Sequence, residues 1–220
     1  KWANFFAPLL SEALPGNPNV VVKFMPGAGS TKGANWFQNQ RHKDGTVMFG
    51  SSGSTQFPYL LGDPRVRYEY NDWLPVMASG TGGVAYLNPE DAKMFDGSAN
   101  KLKGKTYVYG NQGATRLDLI PALAFEMLGM NVEHVMGIKG RGDGRKMMEA
   151  GETTIDYQTS SSYLKNVAPR AEAGEVVPMM TWGALDGNNN IVRDPTFPDV
   201  PTFKEVCDAT DGCATSGPAW

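Results

Sequence analysis

KTYVYGNQGATRLDLIPALAFEM, residues 105–127, reads as a strand, a polar loop and a helix in immediate succession. Thr106, Tyr107, Val108 and Tyr109 are β-branched or aromatic and suit a pleated strand from 105 to 110. The helix is bounded from inside. Pro121 has no amide hydrogen, so it is tolerated only in the first turn, where that donor would be unpaired. The helix therefore starts no earlier than about Leu117 and is expected to run to 128. Asn111, Gln112, Gly113, Ala114 and Thr115 are left as a polar loop between the strand's carboxyl end and the helix's amino end. In open α/β sheets ligands lie at such ends, where free backbone amides favour an anion.

The same unit recurs on both sides. Strands are expected at VVVKFM (20–25), TVMFG (46–50), VAYLN (84–88), EHVMGI (133–138), TTIDYQ (153–158) and EVVPMMTWG (175–183), and further helices at 31–41, 142–150 and 161–173. This alternation predicts an α/β fold with a largely parallel sheet. Two more hydroxyl-rich loops follow strands: SSGST, from Ser51 to Thr55, and TSSS, from Thr159 to Ser162. Loops of this kind with no base or metal cluster beside them suggest a site that binds and does not react. At the start, Trp2, Phe5, Phe6, Leu9, Leu10, Ala13 and Leu14 fall near i, i+3, i+4 spacing and predict an amphipathic helix. That pattern begins without a cap and the sequence stops at SGPAW, so a segment of a longer protein is expected.

Composition narrows the class. With 220 residues, 41% hydrophobic and 20% charged, the chain can bury a core of ordinary size without staples. A net charge of -3 without clustered Lys and Arg argues against nucleic acid as a partner. No apolar run approaches the roughly 20 residues of a membrane-spanning helix. Cys207 and Cys213, in CDATDGC, fit neither a redox C-x-x-C nor a four-ligand zinc site; a small disulfide loop and two free thiols both remain open.

The catalytic and nucleotide motifs fail on spacing. A P-loop needs a glycine five residues before Gly104-Lys105-Thr106, where Ala99 stands. PGAGSTKG spaces Gly27, Gly29 and Gly33 one residue too long for a dinucleotide fingerprint, so it is read as a tight turn that lets a helix pack close to the sheet. GSSGS is not a nucleophile elbow, and neither His42 nor His134 stands in metal-ligand spacing, so no catalytic residue, metal or cofactor is expected. Arg141, Gly142 and Asp143 spell RGD, read as an exposed strand-to-helix loop; Met147, Met148, Met179 and Met180 are read as core filling.

The order of these segments resembles the substrate-binding proteins of tripartite tricarboxylate transporters, the Bug family of periplasmic solute receptors. VVVKFMPGAGSTKGANWF, KDGTVMFGSSGS, YNDWLPVMA, KLKGKTYVYGNQGAT, HVMGIKGRGDG, MEAGE with TSSSYL, and FPDVPTFKEV carry the resemblance. It implies a type II periplasmic-binding-protein fold, two α/β lobes closing over a small organic carboxylate. Lobe 1 would hold 1–84, its N-terminal strand and loop missing, and 182–220, incomplete; lobe 2 would hold 85–181. The resemblance assigns Ser51, Ser52, Ser54 and Thr55 as ligand contacts of the first lobe. It assigns Asn111, Gln112, Gly113, Ala114 and Thr115, backed by Thr159 and Ser160, to the second. PGAGS becomes the first lobe's turn.

The resemblance thus implies a periplasmic, monomeric, non-enzymatic receptor that passes a di- or tricarboxylate or an aromatic acid to membrane transporter subunits. A ligand-sensing subunit of the same fold and a hydrolase using an exposed serine are the alternatives. Relatives often read G-x-V-D where Thr153 and Thr154 lengthen the approach to Ile155 and Asp156. Neutral Gln158 is expected to leave the adjoining loop open to an anion. Phe57, Tyr59, Tyr109, Tyr157 and Tyr163, near the candidate loops, are read as core ahead of a ligand surface.

Overall fold

The computed structural model describes residues 2–40, 44–216 and 220 and divides between Val76 and Met77 into two compact units. His42 lies outside the described residues. The first unit holds α1 (Trp2–Ala13), α2 (Thr31–Gln38) and α3 (Gln56–Leu60). The strands expected at 20–25 and 46–50 are not formed, and neither segment has a ladder partner among the described residues. Valines favour extended backbone, but a strand also needs a neighbour for its amides and carbonyls.

What holds α2 is close approach and aromatic packing. Gly27 turns the chain at φ 133°, and a Cβ on Gly33 would stand 3.4 Å from the Met25 carbonyl oxygen and 3.3 Å from the Phe49 ring. The close-packing reading of the glycine loop holds, with a strandless segment in place of a sheet. Phe37 stacks on Phe49 at 5.4 Å, and both meet the Trp73 ring edge-on. Trp73 Nε1 donates to Gln38 Oε1 at 2.6 Å, which gives the half-buried indole its partner.

The second unit holds the sheets. β1 (Gly83–Leu87) lies between β4 (Ile155–Thr159) and β5 (Val177–Thr181) and is antiparallel to both. β2 (Thr106–Asn111) pairs in parallel with β3 (Asn131–Met136) through the crossover helix α5 (Leu119–Met127). β6 (Ala184–Leu185) and β7 (Ile191–Val192) form a small antiparallel ribbon. The largely parallel sheet is therefore corrected: among the strands of the described residues only β2 and β3 pair in parallel, with one isolated parallel bridge between Thr181 and Thr202. The reason is visible in β1, whose five residues are all buried. An unbroken apolar run suits the interior of a parallel sheet, but it suits equally the middle strand of an antiparallel one covered on both faces.

Local chemistry explains the irregularities. β5 is an edge strand, and its register against β1 skips Met179 beside Pro178, which has no amide to give the ladder. Thr154, the added residue before β4, ties the two sheets together: its Oγ1 accepts from Val108 N at 2.9 Å and its amide donates to Val108 O at 3.0 Å. The helix expected over 161–173 is two, α7 (Ser160–Asn166) and α8 (Ala168–Glu172), because Pro169 cannot donate back into the preceding turn. α6 (Arg141–Glu149) follows β3, and α4 (Pro89–Ala92) follows β1 behind an Asn88 cap.

β1 also divides the core. Ala85 and Leu87 face a cluster with Tyr107, Tyr109, Phe125, Leu128, Ile155 and Met180; Val84 and Tyr86 face Met148, Tyr163, Val167 and Phe197. Each large side chain so buried contributes about 1.5–3 kcal/mol, against about 0–1 for an exposed ion pair. The two faces of β1 therefore outweigh the surface charges. α9 (Phe203–Asp208) starts in a capping box between Thr202 and Glu205 and carries Val206 and Cys207 into the first cluster. Cys207 and Cys213 are joined by a disulfide, so of the two open readings the bridge is formed. Residues 182–220 belong to the second compact unit.

Candidate functional site

The centre of the second unit is a buried guanidinium. Arg141, at the start of α6, donates from Nε to Tyr157 O at 3.0 Å and from Nη1 to Gly110 O and to Asp118 Oδ1, both at 2.6 Å. Its Nη2 is paired with Asp156 Oδ1, and its plane lies 4.8 Å from the centre of the Tyr109 ring. The RGD reading is thus corrected: Arg141, Gly142 and Asp143 form the first turn of α6 and not a loop, Arg141 is buried, Asp143 is half-buried and only Gly142 is exposed. Gly144 makes this possible, because a Cβ there would come within 2.7 Å of Arg141 Nη2 and 2.9 Å of Asp156 Oδ1.

Both carboxylates are surrounded by donors. Asp118 accepts from Arg141, from Tyr109 OH at 2.5 Å, and from Gln112 N and Nε2 at 3.3 and 2.8 Å. Asp156 accepts from Arg141, from Tyr86 OH at 2.5 Å and from Gln158 Nε2 at 2.9 Å. Burial pushes the Asp156 carboxyl up, while Arg141, Gln158 and Tyr86 pull it back. Burial works against the Arg141 charge, but Asp156, Tyr109 and Asp118 together hold its pKa above the ordinary value. Removing Arg141 from such a cluster leaves both buried carboxylates without a counter-charge.

Around this cluster lies the loop 111–118. Asn111 is buried; its Oδ1 accepts from Gly113 N at 2.7 Å and its Nδ2 lies 3.1 Å from His134 Nδ1. Asn111 and Gln112 thus use their side chains to shape the loop. The amides of Ala114, Thr115 and Leu117 have no acceptor within the described residues. Exposed or half-buried, they are the donors left for something outside the chain. The loop expected at 159–162 is not formed: Thr159 ends β4 and stands at the N-cap position of α7 without a side-chain cap bond, and Ser160 N donates to Gly82 O at 3.1 Å while its hydroxyl is buried without a partner.

Gln158, expected beside an open loop, faces inward instead. It is fully buried, donates to Arg141 O at 2.6 Å and accepts from Ser162 Oγ at 2.8 Å. Tyr109, Tyr157 and Tyr163 are core, as expected; Phe57 and Tyr59 are half-buried in the first unit. There Ser51 and Ser52 are exposed, whereas Ser54 and Thr55 are buried, with Thr55 O accepting from Tyr68 OH at 2.6 Å. Sequence reading missed Arg141 and Asp118. The available signal was Gly144, a residue disfavoured inside a helix unless something must come close.

Among the described residues no three His, Cys, Asp or Glu side chains gather as a metal ion requires, and no helix is long and apolar enough to cross a membrane. A solved structure described as that of a periplasmic transporter superposes with a TM-score of 0.68 at 23% identity, covering 93% of this chain. The chain shares the α/β fold of that structure. The chain spans 66% of the length of that structure. It is also similar, with a TM-score of 0.40 and 17% identity, to the periplasmic binding protein BugD, over 57% of this chain and 39% of that one. MatC from Rhodopseudomonas palustris with bound malate superposes with a TM-score of 0.43 at 16% identity, over 60% of this chain and 42% of MatC. No protein-family profile and no curated protein matches the chain.

Proposed function

We propose that this chain belongs to a Bug-type extracytoplasmic solute-binding protein that captures a small organic carboxylate and delivers it to a membrane transporter of the tripartite tricarboxylate kind. One observation carries the reading: the loop 111–118, at the carboxyl end of a parallel strand, keeps the amides of Ala114, Thr115 and Leu117 free of internal acceptors. Such amides suit a carboxylate, which accepts from several donors at once. The similarity in fold to a periplasmic transporter and the Cys207–Cys213 bridge, which favours an oxidising compartment, support a periplasmic location. In this proposal the lobes are 1–84 with 182–220, and 85–181, although 182–220 group with the second compact unit. The proposed contacts are Ser51, Ser52, Ser54 and Thr55 in the first lobe, and Asn111 to Thr115, Thr159 and Ser160 in the second.

Differential scanning fluorimetry against aliphatic and aromatic mono-, di- and tricarboxylates tests the reading. A ligand at 100 times its dissociation constant adds about 2.7 kcal/mol, which raises Tm by about 5–11 °C for a chain of this size. A shift confined to one carboxylate class is the expected result. No shift with any member of the panel, in this chain and in a version extended at both ends, refutes carboxylate capture.

A further inference from the structure

Loops that bind a ligand through backbone amides need something else to fix where those amides point. In the second unit one side chain touches every element concerned. Arg141 binds Gly110 O, where the loop 111–118 begins, and Asp118, where it ends. It also binds Tyr157 O and Asp156 on β4, the strand that feeds Thr159 and Ser160. Its own carbonyl accepts from Gln158, whose Oε1 in turn receives Ser162 Oγ at 2.8 Å in the first turn of α7. Both ends of the loop 111–118 and the junction of β4 with α7 are therefore fastened to a single planar cation.

We propose that Arg141 is the positioning residue of the binding site: it sets the loop 111–118 and the junction of β4 with α7 relative to each other and keeps them from moving independently. This rests on the carboxylate-binding reading in so far as the loops are binding loops; the tether itself does not. A guanidinium can serve four acceptors in one plane because its donors are fixed in a fork, whereas a lysine ammonium at the end of a flexible stem cannot meet the same set. Charge alone is thus insufficient, and the Arg141→Lys variant separates the two ideas. Asp118→Asn is the second variant. It keeps Arg141 and Asp156 paired, lowers the buried charge, and weakens the bonds that Asp118 accepts from Arg141, Tyr109 and Gln112, all of which hold the loop 111–118 to the strand before it.

The test is amide hydrogen exchange followed by mass spectrometry on the wild-type chain and both variants, with calorimetric titration of L-malate and citrate. In Arg141→Lys the segments 112–118 and 159–163 are expected to exchange at least about tenfold faster, while 83–87 and 177–181 keep their protection. In Asp118→Asn only 112–118 should loosen. Whichever acid the wild type binds should bind each variant at least about tenfold more weakly, the loss of charge-assisted hydrogen bonds read through misplaced donors. Uniform acceleration in both variants, unchanged loop exchange, or loosened loops with unaltered affinity would each overturn the positioning role. A wild type that binds neither acid but shows the selective exchange pattern counts against the carboxylate reading and leaves the tether standing.

Discussion

Opening the Cys207–Cys213 bridge should lower stability by a calculable amount. The two cysteines are 6 residues apart, and cross-linking a loop of that length removes about 2.1 + 1.5R ln n cal/mol/K from the unfolded chain, about 2.2 kcal/mol at 25 °C. For a chain of this size each kcal/mol is worth about 2–4 °C, so the reduced protein should melt about 4–9 °C lower. Cys207 is also fully buried against Val206 and the tyrosine-rich cluster, so replacing both cysteines by alanine loses packing besides the cross-link. Calorimetry on three samples separates the contributions. Oxidised against fully reduced wild type isolates the bridge, and reduced wild type against Cys207→Ala/Cys213→Ala isolates the sulfur's contacts. Reduction is verified by alkylation and mass. Oxidised and reduced melting points within about 1 °C of each other would refute the entropic argument, and two thiols that alkylate in the native, unreduced protein would refute the bridge.

Two further predictions concern the second unit. A Cβ at Gly83 would lie 2.2 Å from the Tyr157 ring, so Gly83→Ala forces the centre of the sheet apart and should cost about 1–3 kcal/mol or more in urea unfolding. Gly80→Ala, with nothing within 4 Å, should stay within about 0.5 kcal/mol, and an equal effect at both sites would show that the clash is not the cause. Hydrogen bonds from Arg193, then from the Thr202 amide, hold the Glu205 carboxyl below its ordinary value of 4.5. Its stabilisation is therefore full above that value and disappears as pH falls through the lower folded value. Glu205→Gln should then be less stable than wild type at about pH 7 by a gap that narrows as pH falls below the ordinary glutamate value, and a gap that does not narrow on acidification removes the linkage.

Which features could be read beforehand follows from how local their causes are. The strand 106–111, its loop and the helix opening before Pro121 are set by neighbours in sequence, and they stand where the residues predict. The break between α7 and α8 has a local cause in Pro169, yet the surrounding residues all favour helix and hide it. Strand direction has no local cause: β1 meets Tyr157 and Met180, which lie far along the chain, and its apolar run is compatible with either orientation. VVVKFM satisfies the propensity of a strand without having a neighbour to pair with among the described residues. In the candidate site the polar loop was legible from composition. The cluster beneath it was not, because an arginine in GRGDGR looks like solvent-facing charge until the fold brings Asp118, Asp156 and Gly110 around it.

The bonds of Arg141 also say something about how the second unit comes together. They reach residues 15, 16, 23 and 31 positions away, so no short stretch of chain can satisfy the guanidinium by itself. In a half-assembled intermediate the arginine has two choices, to stay in water and hold the core open, or to enter it unpaired at a cost of several kcal/mol. Neither leaves the loop 111–118 in its final shape. Folding of β2, α5, α6 and β4 is thereby made nearly all-or-none at this point, and a molecule with ordered loops is one whose interior has already closed. If the loop 111–118 binds as proposed, its occupancy doubles as a certificate of completed folding, and immature chains compete little for the ligand.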